Sequence, residues 1–184
     1  ADGHRVEVAG LEALRAVDIL PLVKDGQDIK LLIVGGDEAS AGEVERLRVM
    51  ARELGIGDAV TFQGAVEQTD LPAYYSAADA CVVPSFYESF GLVGLEALAC
   101  GTPLVAADVG CLKDIVIPDK TGMVVADNAP ERLAAGIRRV LGGADIRPPA
   151  VIRDSVRDYG WNSVAHGVVK QLRATLCKER ELVS

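Results

Sequence analysis

Two hydrophobic periods alternate along the chain. Short apolar runs at 30–34, 59–63, 80–83, 103–107 and 122–125 read as buried strands, the first stopped by Gly35 and Gly36 and the third by Pro84. Between them apolar positions recur at helical spacing. A helix is predicted over 8–24, where Leu11, Leu14, Val17, Ile19 and Leu20 share a face, and another up to Leu54, lined by Val44, Leu47 and Met50 and ended by Gly55. Further helices fall at 71–78, 91–100, 113–116 and 130–141, with two more helical stretches after Pro149 and Trp161 between them. Ser40 with Glu43 matches a capping box, and Asp70 an N-cap that tolerates Pro72 in the first turn. Strands alternating with helices feed a parallel sheet through right-handed crossovers. The expected fold class is α/β, a doubly wound, Rossmann-like parallel sheet. It forms one domain over 1–184, with 150–184 as a helical C-terminal extension.

Charge and composition narrow the partners. Acidic side chains outnumber basic ones 27 to 19, a net charge of -8, which argues against nucleic acid and anionic lipid as ligands. Cysteines at 81, 100, 111 and 177 form no C-x-x-C pair and read as reduced core residues of a cytoplasmic protein. No run approaches the ~20 apolar residues of a membrane span, so no integral membrane segment is expected. The sequence starts without methionine, which fits processing as well as a piece of a longer protein. It contains no G-x-x-x-x-G-K-[ST], G-x-G-x-x-G or G-x-S-x-G pattern, and its only histidines, His4 and His166, lie near opposite ends. Without a D-x-D pair to hold a cation on a diphosphate, no metal is expected, and an anion would be bound by backbone amides and helix dipoles.

The informative segment is 84–103, PSFYESFGLVGLEALACGTP. It joins a strand to a helix at the carboxyl edge of the sheet, where open α/β folds bind ligands. The helix from Gly91 is apolar all round apart from Glu96, a pattern that predicts burial, and a buried carboxylate needs a partner. Glu96 can reach back toward the helix N-terminus, whose amides from Phe90 to Val93 lack intrahelical acceptors. Gly91 and Gly94 would clear side chains from the path of phosphate oxygens. Glu88 lies just before the helix, and two carboxylates flanking an anion-binding helix start suit a nucleotide sugar. The same spacing equally fits a Glu96 tied into an ion pair and a solvated Glu88, in a non-catalytic doubly wound nucleotide-binding or interaction module.

Glu88 and Glu96 stand in an E-x7-E spacing, with Pro84 and Ser85 before them and Cys100, Gly101, Thr102 and Pro103 after. In this the segment resembles the signature of the retaining glycosyltransferases of family 4. The resemblance runs from 31–36 through 60–66 to Thr121, Gly122 and the surroundings of Trp161. Members are two-domain GT-B enzymes, and this sequence is similar to their C-terminal, donor-binding half; the N-terminal acceptor domain is absent. The resemblance implies a hexosyltransferase that uses a UDP- or GDP-linked sugar as donor, with no metal and no other cofactor. It implies that Glu96 binds the ribose hydroxyls and that Glu88, the catalytic candidate, meets the donor sugar. Ser89, Phe90 and Gly91 would offer amides to the sugar, Leu92 and Val93 to the diphosphate; Val66 would lie against the base and Gly36 would line the crevice. The departing diphosphate would deprotonate the acceptor on the same face, giving retention, and the domain alone would be inactive. A related epimerase or phosphorylase fits less well, since extra histidines and a cofactor lysine are missing.

Two departures from the family pattern stand out. A basic pair normally follows the first strand, and the chain begins at about that loop, leaving Arg5 as the substitute candidate. Cys111 stands between Gly110 and Leu112, where a second glycine is common. Tyr74 and Tyr75 are expected to pack, and Trp161 to anchor the last helix. Surface that would face the absent domain predicts self-association, and peripheral membrane contact would belong to that other half.

Overall fold

The computed structural model describes residues 4–9, 19, 29–36, 38–143 and 145–182. Its strands are β1 (His4–Ala9), β2 (Ile29–Val34), β3 (Val60–Gly64), β4 (Ala80–Val83), β5 (Leu104–Ala107) and β6 (Gly122–Val125). All pair in parallel, in the order β3-β2-β1-β4-β5-β6. The helices are α1 (Ala41–Glu53), α2 (Leu71–Ala77), α3 (Leu92–Ala99), α4 (Leu112–Ile115), α5 (Pro130–Leu141), α6 (Pro149–Ser155) and α7 (Trp161–Leu182). The chain winds outward from β1 to β3, returns to β4 and winds the other way, so the order reverses between β1 and β4. A doubly wound sheet opens its ligand crevice at that point, at the carboxyl ends of the strands.

Burial follows from this layering. All residues of β4 and β5 are buried, because helices cover both faces of the sheet, and the sequence there shows a continuous apolar run. Alternate residues serve opposite cores. Val82 and Val105 join Leu31, Leu133 and Ile137 on one face; Cys81, Val83, Leu104 and Ala106 join Tyr75, Leu98, Leu112 and Ile152 on the other. Helix α5 buries Leu133, Ala134, Gly136, Ile137 and Val140, one stripe at helical spacing. On the other face α6 seats Ile152, whose full burial stabilises by roughly 1.5–3 kcal/mol. The Arg153 guanidinium donates to the carbonyls of Ala99 and Cys100 at 3.0 and 3.3 Å, tying α6 to the end of α3.

Several sequence expectations need correction. Of the helix predicted over 8–24, Val8 and Ala9 instead end β1; Ile19 is buried, and the remainder lies outside the described residues. Arg5 is not in a loop. It pairs in register with Lys30, near the amino end of β1, on the edge of the sheet away from the crevice, so its position does not suit a diphosphate ligand. The Ser40 side chain makes no capping hydrogen bond, because a 3-10 turn over Glu38–Ser40 leads into α1 and Glu43 turns to Arg46. Asp70 likewise precedes α2 without a side-chain cap. Trp161 starts α7 but is 87% exposed, so the anchors of the C-terminal extension are Ile152 and Val156. Of the cysteines, Cys81 is a core residue while Cys100 and Cys111 are only half-buried. No helix among the described residues is long and apolar enough to cross a membrane.

Candidate functional site

Beyond Val83 the chain leaves the sheet and crosses its carboxyl edge as an arch over residues 84–91 before entering α3. Gly91 is the N-cap, with φ at +80°, a left-handed backbone that glycine adopts without strain. The first bond of the helix runs from the Leu95 N–H to the Gly91 carbonyl, so the amides of Leu92 and Val93 have no partner within the helix. The Phe90 amide, expected to be open, donates to Glu88 Oε1 at 3.3 Å, and the half-buried Glu88 carboxylate folds back over its own turn.

Glu96 lies one turn into α3, half-buried rather than enclosed, because α3 buries only Gly94, Ala97 and Leu98 and leaves Leu92 largely exposed. Its Oε2 accepts a hydrogen bond from the Tyr75 hydroxyl at 3.1 Å. Tyr75 is itself fixed: its ring is 2% exposed and its carbonyl accepts the Thr102 hydroxyl. The partner of Glu96 is thus a neutral donor, and among the described ion pairs none includes Glu96. A hydroxyl orients a carboxylate without cancelling its charge, and most of the acceptor capacity of the two oxygens remains for a ligand with paired hydroxyls.

The glycines serve packing as well. A Cβ at Gly91 would stand 2.6 Å from Leu112 Cδ2, and one at Gly94 2.7 Å from Leu104 Cδ2. Both let α3 lie close on β5 and α4, which aims the helix start at the crevice. From the other side, Gly110 abuts the arch so tightly that a Cβ there would fall 2.1 Å from the Glu88 carbonyl oxygen. Cys111 Sγ donates to the Ser89 carbonyl at 3.7 Å, and Asn128 Nδ2 to the Ser85 carbonyl at 2.7 Å.

Phe90, Leu92 and Glu96 line one cavity of about 680 Å³ with Arg157, Tyr159 and Trp161. Gly36 lines another, of about 380 Å³, with Phe62 and Gly64, where the Gly35 N–H donates to the Gly64 carbonyl and draws the ends of β2 and β3 together. Val66 is half-buried beyond β3 and lines neither, and the Val93 side chain packs against the core, which leaves only its amide at the helix start. Glu88, Ser89, Phe90, Gly91 and Leu92 are therefore gathered on one arch and helix start with Glu96 a turn behind, while Gly36 and Val66 belong to the ends of β2 and β3. Sequence reasoning missed Tyr75 as a ligand of Glu96 and missed Asn128 altogether; a polar residue just past the carboxyl end of β6 was the signal. Among the described residues no three His, Cys, Asp or Glu side chains gather to hold a metal ion.

Fold and site together define a doubly wound α/β domain with one carboxylate on the strand-to-helix arch at its switch point and a second a turn into the helix that follows. Residues 11–148 match the family described as glycosyl transferases group 1, and the chain belongs to that family. A D-inositol 3-phosphate glycosyltransferase of Frankia alni is 41% identical over 151 residues, 80% of this chain and 37% of that protein. Sucrose-phosphate synthase from Thermosynechococcus elongatus superposes with a TM-score of 0.81 at 34% identity, covering 96% of this chain and 46% of the other. The Anabaena protein HepE in complex with UDP shares the fold, with a TM-score of 0.79 at 22% identity, over 97% of this chain and 50% of its own. This chain thus spans half or less of the length of each of these proteins.

Proposed function

We propose that this chain is the nucleotide-sugar donor domain of a retaining, metal-independent glycosyltransferase. In this reading it holds a UDP- or GDP-linked hexose for transfer to an acceptor bound elsewhere in the whole protein. The observation that carries the reading is the Glu96 carboxylate, oriented by Tyr75 and left uncancelled, beside an open helix start at the sheet's switch point. The Glu96 oxygens accept the ribose hydroxyls. The amides of Leu92 and Val93, with the α3 dipole worth about half a positive charge at its start, take the diphosphate oxygens. Glu88 exchanges its bond to the Phe90 amide for the hydroxyls of the sugar, which frees that amide for the donor as well. As the sugar–diphosphate bond breaks, the same groups stabilise the negative charge that develops on the leaving oxygen. The acceptor hydroxyl attacks from the face that the diphosphate leaves and passes its proton to a diphosphate oxygen, so no protein base is required. UDP in the HepE complex and the inositol phosphate named for the Frankia protein are chemistries consistent with such a donor and acceptor.

Titration calorimetry of the chain with UDP, GDP, ADP and NAD, without and then with magnesium, tests this. Metal-independent binding of one nucleoside diphosphate is expected, abolished in Glu96→Ala. Unchanged affinity in that variant overturns the ribose assignment, and no binding of any of the four overturns the donor-domain reading.

A further inference from the structure

The arch that carries Glu88 is tied to the loops beyond β5 and β6. Within it the Phe90 N–H donates to the Glu88 carboxylate. From those loops Cys111 and Asn128 donate hydrogen bonds to it. The first is a 3.7 Å contact from a thiol, a weak donor, at an exposed position. The second is short at 2.7 Å, partly buried, and ends on Ser85, a buried residue at the foot of the arch. Asn128 Oδ1 is buried with no partner among the described residues, so the Ser85 bond is what orients the amide. Leaving a buried oxygen unpaired costs stability, a local penalty that folds carry where function requires it.

We propose that Asn128 is a positioning residue for donor-sugar recognition. By holding the Ser85 carbonyl it fixes the arch and so sets where Glu88 meets the sugar, while Glu96, on α3 and tied to Tyr75, is set independently. The inference rests on the donor-domain reading, and its consequence is a split: losing the tether weakens the hold on the sugar and spares the hold on the nucleotide.

The test compares the wild-type chain with Asn128→Ala and the isosteric Asn128→Asp. Hydrogen exchange is measured without ligand, and titrations use UDP against UDP-glucose and GDP against GDP-mannose. In both variants the amides of 85–91 are expected to exchange faster. Nucleoside diphosphate affinity stays within about twofold, and affinity for the matching sugar-linked donor falls about fivefold in Asn128→Ala, the size of one neutral hydrogen bond. The fall is larger in Asn128→Asp, where a carboxylate faces the Ser85 carbonyl. Unchanged exchange in the arch overturns the tether, and equal losses for nucleotide and sugar-linked donor overturn the positioning role. A wild-type chain that binds neither ligand overturns the donor-domain reading, and this inference with it.

Discussion

Replacing Gly110 by alanine tests whether the arch is pressed into place by the turn after β5. Gly110 has φ at +55°, and an L-residue pays roughly 1–2 kcal/mol there. The new Cβ would also lie 2.1 Å from the Glu88 carbonyl oxygen and 2.9 Å from its carbon, distances that real Cβ atoms do not show. Both clashing atoms are backbone, so no rotamer change relieves the overlap; the arch or the turn must retreat by about 1 Å. Overpacking of this kind costs roughly 1–3 kcal/mol, which brings the total to about 3 kcal/mol. Gly55 supplies the control, since it has φ at +69° with nothing within 4 Å of a built Cβ. Gly55→Ala should therefore show only the left-handed cost. Urea unfolding of both variants reads the difference, and thermal unfolding should place Gly110→Ala about 9 °C below wild type, at roughly 3 °C per kcal/mol for a chain of this size. Equal losses in the two variants would refute the argument, because they would mean that the contact with Glu88 yields freely.

Tyr75→Phe keeps the buried ring and removes only the hydroxyl that Glu96 accepts. It should lower stability by about 1 kcal/mol and weaken nucleotide binding severalfold while leaving the hydrogen exchange of 84–91 unchanged, checked by urea midpoint, titration and exchange. The Arg139 guanidinium donates to Asp119 and holds its carboxyl below the ordinary value of 3.8. A carboxyl whose folded value is depressed stabilises the fold above its unfolded value, and that contribution is lost as pH falls through the folded one. The difference in urea midpoint between wild type and Arg139→Gln should thus be constant at pH values well above the ordinary carboxyl value of 3.8 and shrink on acidification below it; a difference that grows on acidification would reverse the sign.

How far the sequence carries depends on whether the cause of each feature is local. Among the strands from β2 onward, β4 and β5 were the most legible, because burial on both faces leaves continuous apolar runs there. β1 was not: His4, Val6, Glu7 and Val8 mix polar and apolar types, and the apolar spacing beyond them extends the helical pattern backward over Val8. Its central place is set by pairing with Ala80, Cys81 and Val82, far along the chain, which leaves no local trace. Glu88 and Glu96 were legible as a motif, and Gly91 and Gly94 as sites of close approach. The approaching partner proved to be Leu104 and Leu112, since a glycine records that something comes near and not what it is. Tyr75 looked like packing because a buried ring obeys the same period whether or not its hydroxyl is used. Asn128 was marked only by its polarity just past β6, and its role was hidden because its partner, Ser85, is 43 residues away. These unseen residues divide the motif. Glu96 is set from the α2 side by Tyr75, while the arch under Glu88 is set from beyond β5 and β6 by Gly110, Cys111 and Asn128. Two carboxylates that the sequence presents as one signature therefore rest on separate supports, and the hold on a nucleotide and the hold on its sugar can change independently.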